Sequence, residues 1–404
     1  MKILFLTNLL PYPLDNGGKI KSYTTLNALA GAGYEVDVLC FKEKKVSMNS
    51  EEAGLRKICN SINQIYLPLT TADHLKYMIR IAAKSLFSRY PFSIYKYQSK
   101  KMENELKKKA QIKYDVIYFD HLPMCVFLNC AHTLWPNAKL ILDEHNCETI
   151  IAKRKAAEAN NILKKLFLNI EALKLKNFEK NSILKAYKTI VLSNTDYKSL
   201  KKMTESEFNH AVIPIGVPDR GLKKEPNNKS LKALFIGTLT WEPNNAGLIW
   251  FLEEVMPIIE RRKIDLHLYI VGKNPSGEVK KLSEQYNGKV TVTGYVDSVD
   301  EYYDMCDMTI VPLFIGSGQR VKLIEAFSKG MPAVSTSVGA EGLEYNIESI
   351  IIANKKEEFA DAIEHMQDKN VRKKIGVNSR NIYDMLYSPD AVSKLIVSTI
   401  EESD

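Results

Sequence analysis

Two glycines, two cations, a hydroxyl, an amide and a carboxylate fall within one short stretch of this chain, GSGQRVKLIE, residues 316–325. Gly316 and Gly318 lack a Cβ, so anionic oxygens can approach their backbone N–H groups, with Ser317 and Gln319 beside them. An apolar run, Met308–Leu313, ends just before the stretch, and a helical pattern opens at its far side. A helix start offers unpaired N–H groups and the positive end of its dipole. Arg320 and Lys322 in that first turn oppose the dipole, which makes sense if an anion occupies the site. Each charge-assisted hydrogen bond to phosphate contributes about 1.5–3 kcal/mol. Glu325 is a poor phosphate partner but a good acceptor for two vicinal hydroxyls, as on a ribose. The stretch therefore reads as a site for a nucleotide diphosphate; the plainer reading is a strand–turn–helix with an incidental basic start. Gly330 then stops the helix and Pro332 stiffens the return.

A second group lies in the first half. Gly17 and Gly18 follow a strand-like segment and open a helix near Lys19, with Asp15 and Asn16 as caps. His145, in LILDEHNCET, and His121, in IYFDHLP, both sit just past a strand end, where a side chain reaches a ligand cleft. Asp143, Glu144 and Glu148 are further acceptor-side candidates, and no spacing selects among them. No Asp-x-Asp occurs, which disfavours a diphosphate bridged by Mg²⁺ or Mn²⁺; cations and N–H groups must then neutralise it. No G-x-G-x-x-G follows the first strand, so a nicotinamide enzyme is disfavoured.

The elements that must hold these groups alternate strand and helix twice over. Strands are expected at Lys2–Thr7, Glu35–Cys40, Gln64–Leu67, Asp115–Phe119, Leu140–Asp143, Thr189–Leu192 and Ala211–Pro214. A second series is expected at Ala233–Gly237, Leu266–Val271, Val290–Thr293, Met308–Leu313, Ala333–Thr336 and Ser349–Ile352. Between them lies the linker-like PIGVPDRGLKKEPNNKS. The pattern predicts two α/β domains, each a doubly wound parallel sheet, over 1–215 and 216–385, facing one another across a cleft. A helix over 386–404, broken near Tyr387–Pro389, is expected to cross back to the first domain.

With 404 residues, 45% hydrophobic and 26% charged, the chain is globular and long enough for two cores. No apolar run spans a bilayer, and the N-terminus reads as a buried strand, not a signal peptide. Six cysteines without metal or C-x-x-C spacing suit a reducing cytoplasm. The net charge of +8 is concentrated: residues 74–113 carry +9 and residues 153–188 carry +7. An anionic partner is expected there, a membrane surface or a phosphorylated acceptor. Segment 74–110 sets Lys76, Arg80 and Lys84 beside Leu75, Ile79, Ala82 and Leu86, followed by Phe87, Tyr90, Phe92, Tyr95 and Tyr97. That pattern is either a solvated face opposite a core face or an interfacial helix.

These stretches together resemble a known family. GSGQRVKLIEAFSKGMPAVSTSVGAEGL, with VTVTGYVDSVDEYYDMCDMTIVPL before it, is similar to the signature of retaining GT-B-fold glycosyltransferases of family 4. FIGTLTWEPNNAGLIWFLEEVMPII resembles the opening of that family's second domain, and MKILFLTNLLPYPLDNGGKIKSYTTLNALAGAGYEVDVLCF the opening of its first. VLSNTDYKSL and VIPIGVP resemble the stretch before the crossover. The resemblance implies a nucleotide diphosphate sugar as donor substrate, with no metal or other cofactor required, and transfer to a hydroxyl with retention. It implies that Glu325 binds the ribose, Gly318 approaches sugar and diphosphate, Gly17 and Gly18 face the diphosphate, and Val296 lies by the base. His145 corresponds to the histidine near the reacting sugar. Two departures stand out. Ser317 replaces a glutamate many members carry, and GTLTWEPNNAG lacks the Arg and Lys that usually grip the diphosphate. Arg320 and Lys322, with Thr238 nearby, are read as taking over that charge. The expected acceptor is a glycan or lipid-linked saccharide of a surface polysaccharide, at the inner membrane face by way of residues 74–113; no nucleic acid partner is expected. The other readings of the same fold are a nucleotide-sugar epimerase, a sugar phosphorylase and a non-catalytic binding subunit.

Overall fold

In the computed structural model, residues 1–14, 16–42, 54–68, 71–159, 161–223, 228–316 and 318–402 are described, without the side chains of 71–76. Ser317 and Asp15 thus lie outside the described residues, as do the side chains of Leu75 and Lys76. The described residues form two units, Met1–Ile215 with Val392–Asp404, and Gly216–Ala391.

Unit 1 is built on the strands β1 (Lys2–Thr7), β2 (Glu35–Lys42), β3 (Ser61–Tyr66), β4 (Val116–Asp120), β5 (Lys139–Glu144), β6 (Lys188–Val191) and β7 (His210–Val212). They pair in the order β3-β2-β1-β4-β5-β6-β7, every pair parallel. A parallel sheet is covered on both faces, which is why its central strands read as unbroken apolar runs such as ILFL and VLCF. Alternate residues serve opposite faces. Leu4, Leu6, Leu39, Phe41, Ile117 and Phe119 enter one core. Ile3, Phe5, Val36, Val38, Val116 and Tyr118 enter the other, where Val392, Ile396 and Ile400 of the final helix, Pro389–Glu401, join them.

Unit 2 repeats the plan with β8 (Leu231–Ile236), β9 (Leu266–Val271), β10 (Val290–Gly294), β11 (Met308–Val311), β12 (Ala333–Ser335) and β13 (Ile351–Ile352). Their order is β10-β9-β8-β11-β12-β13, again parallel throughout. The linker-like segment is pinned at its start. Val217 N donates to Tyr387 O, Tyr383 Oη donates to Val217 O, and Arg380 forms a bidentate pair with Asp219. The C-terminal helices break twice. One break is at Ser388, as Pro389 requires; the other, around Met366–Asp368, has no proline to announce it.

In each sheet the strand order reverses once, between β1 and β4 and between β8 and β11. Ligands of such sheets lie beyond the carboxyl ends of the strands at that reversal. Gly17, Gly18 and His121 fall at the first reversal, and Thr238 and the 316–325 stretch at the second.

Candidate functional site

The unit 2 site grows from the loops after β8 and β11. The helix Val321–Ser328 starts with Arg320 as its N-cap residue, one position outside the helix. Gly316 and Gly318 take φ of 129° and 77°, the region that favours glycine. A Cβ on Gly316 would lie 2.5 Å from Arg320 Nη2, so the glycine makes room for the guanidinium. Arg320 is buried and sits over the Trp241 ring at 5.6 Å. Lys322 turns inward. Its Nζ donates to Asn244 Oδ1 at 2.9 Å and lies 4.3 Å from the centre of the Phe235 ring. A Cβ on Gly237 would meet that ammonium at 2.9 Å. Asn244 is fixed in turn by donating to Thr238 O at 2.9 Å. Burial, and next the charge of Arg320, pull the Lys322 ammonium down to about 7.

Glu325 lies one turn further along. Its Oε1 accepts from Arg220 Nη2 at 2.6 Å, and its Oε2 from Tyr303 Oη at 3.3 Å. Arg220 also donates to Asp300 Oδ1 at 3.0 Å. Val296 packs beside this group with Ile236 and Tyr269. Gln319 turns away, its Nε2 donating to Gly342 O at 2.8 Å. Unit 2 thus gathers Thr238, Gly318, Arg320, Lys322 and Glu325 at one switch point, with Val296, beyond the edge strand β10, packed against the cluster that holds Tyr303. Asn244, Trp241, Tyr303 and Arg220 were not singled out in the sequence. For Asn244 a signal existed: the amide stands in WEPNNAG, where the resemblance called for cations.

The unit 1 group surrounds Asp120. Its Oδ2 accepts from Thr7 Oγ1 at 2.6 Å and Ser22 Oγ at 2.7 Å, and its Oδ1 lies 2.9 Å from His145 Nε2. Asp120 is buried, but the charge of His145 and these hydrogen bonds overcome desolvation and hold its carboxyl well below the usual range. His121 packs against His145 with ring centroids 3.5 Å apart and the planes tilted by 38°. Burial, then the His145 charge, push its imidazole down to about 3. Its φ of 75° is strained for a residue with a Cβ, a cost of roughly 1–3 kcal/mol that tends to collect at functional sites. Gly18 abuts the same ring: a Cβ there would sit 3.4 Å from His121 Nε2. Asn16 caps the helix Gly17–Gly31 by accepting from Lys19 N at 3.0 Å. Gly17, Gly18, His121 and His145 are therefore one cluster.

Asp120, His121 and His145 each offer a ligand atom within 4.8 Å of the others. The Asp120 carboxylate is nevertheless occupied by two hydroxyls and an imidazole, so these groups satisfy one another. Two of the three carboxylates named beside the histidines serve the fold. Asp143 is fully buried, paired with the Lys21 ammonium at 3.2 Å and accepting from Tyr118 Oη at 2.6 Å. Glu144 is buried too; desolvation and the neighbouring Glu179 push its carboxyl well above the usual range. Glu179 accepts from Glu148 N at 2.8 Å and Thr149 N at 3.1 Å, holding the start of the helix Glu148–Ala157.

Two doubly wound parallel sheets, each with polar groups at its switch point, make this a GT-B fold. Sucrose-phosphate synthase from Thermosynechococcus elongatus shares it, with a TM-score of 0.69 at 17% identity over 98% of both chains. So does Anabaena HepE in complex with UDP and glucose, with a TM-score of 0.63 at 14% identity over 99% of both. Residues 230–369 match the family model of glycosyl transferases group 1. A Klebsiella pneumoniae protein, described as an uncharacterized 44.6 kDa protein in the cps region, is 28% identical over 369 residues, 90% of each chain. The domain match and the fold together support a glycosyltransferase as the enzyme class.

Proposed function

We propose that the chain moves a sugar from a nucleotide diphosphate sugar to a hydroxyl of a glycan or lipid-linked acceptor in surface polysaccharide synthesis, with retention. One observation carries the reading. A buried cation, Arg320, a half-buried one, Lys322, and a carboxylate, Glu325, share one switch point inside the segment that matches the group 1 domain. HepE with UDP makes a uridine nucleotide the first donor to test. The cps description of the Klebsiella relative supports the polysaccharide setting.

In this reading Glu325 accepts from the ribose hydroxyls. Arg320, Lys322 and the N–H groups of the Gly318 loop take the diphosphate in place of a divalent ion. The bond from the anomeric carbon to the phosphate oxygen breaks, and the diphosphate leaves with the electron pair. The acceptor oxygen forms the new bond on the same face and gives its proton to the departing phosphate oxygen. His145, held by Asp120, orients the sugar or acceptor, and His121 stays neutral beside it. The basic segment 74–113 favours an acceptor presented at the inner membrane face.

The test is a thermal-shift screen of uridine, guanosine and adenosine diphosphates, followed by labelled donor with and without acceptor extract. Glu325→Ala and Lys322→Ala are each expected to weaken nucleotide binding. Unchanged affinity in both removes the assignment, and conversion of the donor without acceptor turns the reading toward an epimerase.

A further inference from the structure

We propose that unit 1 docks on an anionic lipid bilayer through the first half of the helix Ile162–Lys185 and the turn at Leu86–Phe87. The helix is long, but only its second half enters the core, through Ala172, Leu175, Glu179, Ser182 and Ile183. Its first half leaves a run of large apolar side chains in solvent: Ile162 at 81% exposure, Leu163 at 74%, Leu166 at 60%, then Phe167, Ile170 and Leu173. Positions 162, 166, 170 and 173 follow the helical repeat, so this is one stripe rather than scattered exposure. Phe87 is 95% exposed, and Ile79 and Leu86 are exposed on the helix before it.

The two stretches are tied together. Lys174 Nζ donates to Ser85 O at 2.9 Å and Leu86 O at 3.1 Å, and Glu171 accepts from Phe92 N. Beside this junction lies a cavity of about 330 Å³ lined by Arg89, Lys174 and Lys185 with the amides of Asn177 and Asn181. Lys174 is paired with Glu171 at 3.3 Å, so it is Arg89 and Lys185 with the two amides that suit a phosphate headgroup.

Charge selects the occupant. Residues 74–113 and 153–188 are both strongly basic. A second copy docked through this face by a two-fold axis would set that charge against itself. A nucleic acid would leave the leucines and phenylalanines unused. An anionic bilayer takes both, with the lysines at the headgroups and the apolar stripe at the acyl boundary. No helix among the described residues is long and apolar enough to cross a membrane, so the contact is interfacial.

This deepens the reading of a membrane-presented acceptor, yet its test needs neither donor nor turnover. The full chain is sedimented with vesicles of phosphatidylcholine alone and of phosphatidylcholine mixed with phosphatidylglycerol. Binding is expected to the mixed vesicles, weakened by salt, and to fall about tenfold in Phe87→Glu with Leu166→Glu, and similarly in Lys164→Glu with Lys165→Glu. All are exposed positions in unit 1, so an unchanged circular dichroism spectrum and melting midpoint certify an intact fold. Equal binding to both vesicle types, no binding to either, or variants that bind as well as the parent overturn the proposal. Light scattering that shows a dimer dispersed by Phe87→Glu with Leu166→Glu also overturns it, in favour of a second copy. Lipid binding without sugar transfer would separate this surface from the proposed activity, and transfer without lipid binding would do the reverse.

Discussion

Arg220 and Glu325 form an ion pair at 2.6 Å, joining the linker to the helix that follows the glycine loop. Arg220 fixes one oxygen of the carboxylate proposed to hold the ribose, and Tyr303 approaches the other. Arg220→Met is therefore expected to weaken nucleoside diphosphate binding by about tenfold, roughly the worth of one charged hydrogen bond. Inorganic pyrophosphate has no ribose and should bind as before. Titration calorimetry with both ligands checks this; an equal loss for the two would show that Arg220 acts on the diphosphate instead.

Lys322 predicts a pH dependence with a definite sign. Its ammonium is pulled down to about 7 by burial and by Arg320, and a bound diphosphate favours the protonated form. The complex then carries more protons than the free protein above that pH. Nucleotide affinity should fall as pH rises through and beyond about 7, by up to roughly tenfold per unit. Calorimetry in buffers of different ionisation enthalpy should register proton uptake at pH 8. Lys322→Met should bind weakly at every pH and show no uptake.

His145→Ala tests the unit 1 cluster. Within unit 1 the histidine is held by Asp120 and lies against the tilted His121 ring. Its loss should lower kcat on the order of a hundredfold, with nucleoside diphosphate affinity unchanged. A matching fall in that affinity would place His145 in donor binding.

Glu144 predicts a stability effect. Desolvation and Glu179 raise its carboxyl well above the ordinary range, so the folded state holds a proton that the unfolded state releases. Its contribution is fully present below the unfolded value and is lost as pH rises through the folded one. Glu144→Gln keeps the shape without the titration. Relative to the parent it should gain stability as pH rises from 5 to 8. Urea midpoints at the two pH values check this, and parallel curves would contradict it.

Much of this fold is legible in the chain because a parallel sheet buries both faces of its strands. All thirteen strands of the two sheets lie on the expected apolar runs. Their ends differ by a few residues because pairing, not hydropathy, sets where a ladder stops. Gln64–Leu67, for instance, becomes Ser61–Tyr66 through pairing with Asp37–Lys42. The strand, glycine turn and helix start around 316–325 are legible because two glycines between an apolar run and a helical pattern mark a turn at a strand end.

Arg220 is not legible, since nothing in the linker marks which cation folds back onto Glu325. Nor are the outer faces of the helices. Ile79, Ala82 and Leu86 form a plausible core face in sequence, yet Met78 and Ser85 point inward while Ile79 and Leu86 face solvent. The charge excess of 153–188 was visible, but not that the helix beneath it projects its leucines. An amphipathic pattern says that one side is apolar, not that the protein itself supplies the cover.

The last helix has a consequence for how the chain is made. Val392, Ile396 and Ile400 complete a core whose other members, Ile3 and Phe5 among them, emerge from the ribosome first. Three such side chains are together worth about 5 kcal/mol on burial, comparable to the whole margin of a typical domain. The first unit must therefore wait for residues 392–400 before that face of its sheet is fully covered, whereas the later unit has all its residues by Ala391. Assembly order thus runs opposite to reading order: a chain cut between Ala391 and Val392 would keep every residue of the second unit and lack the side chains that close the first.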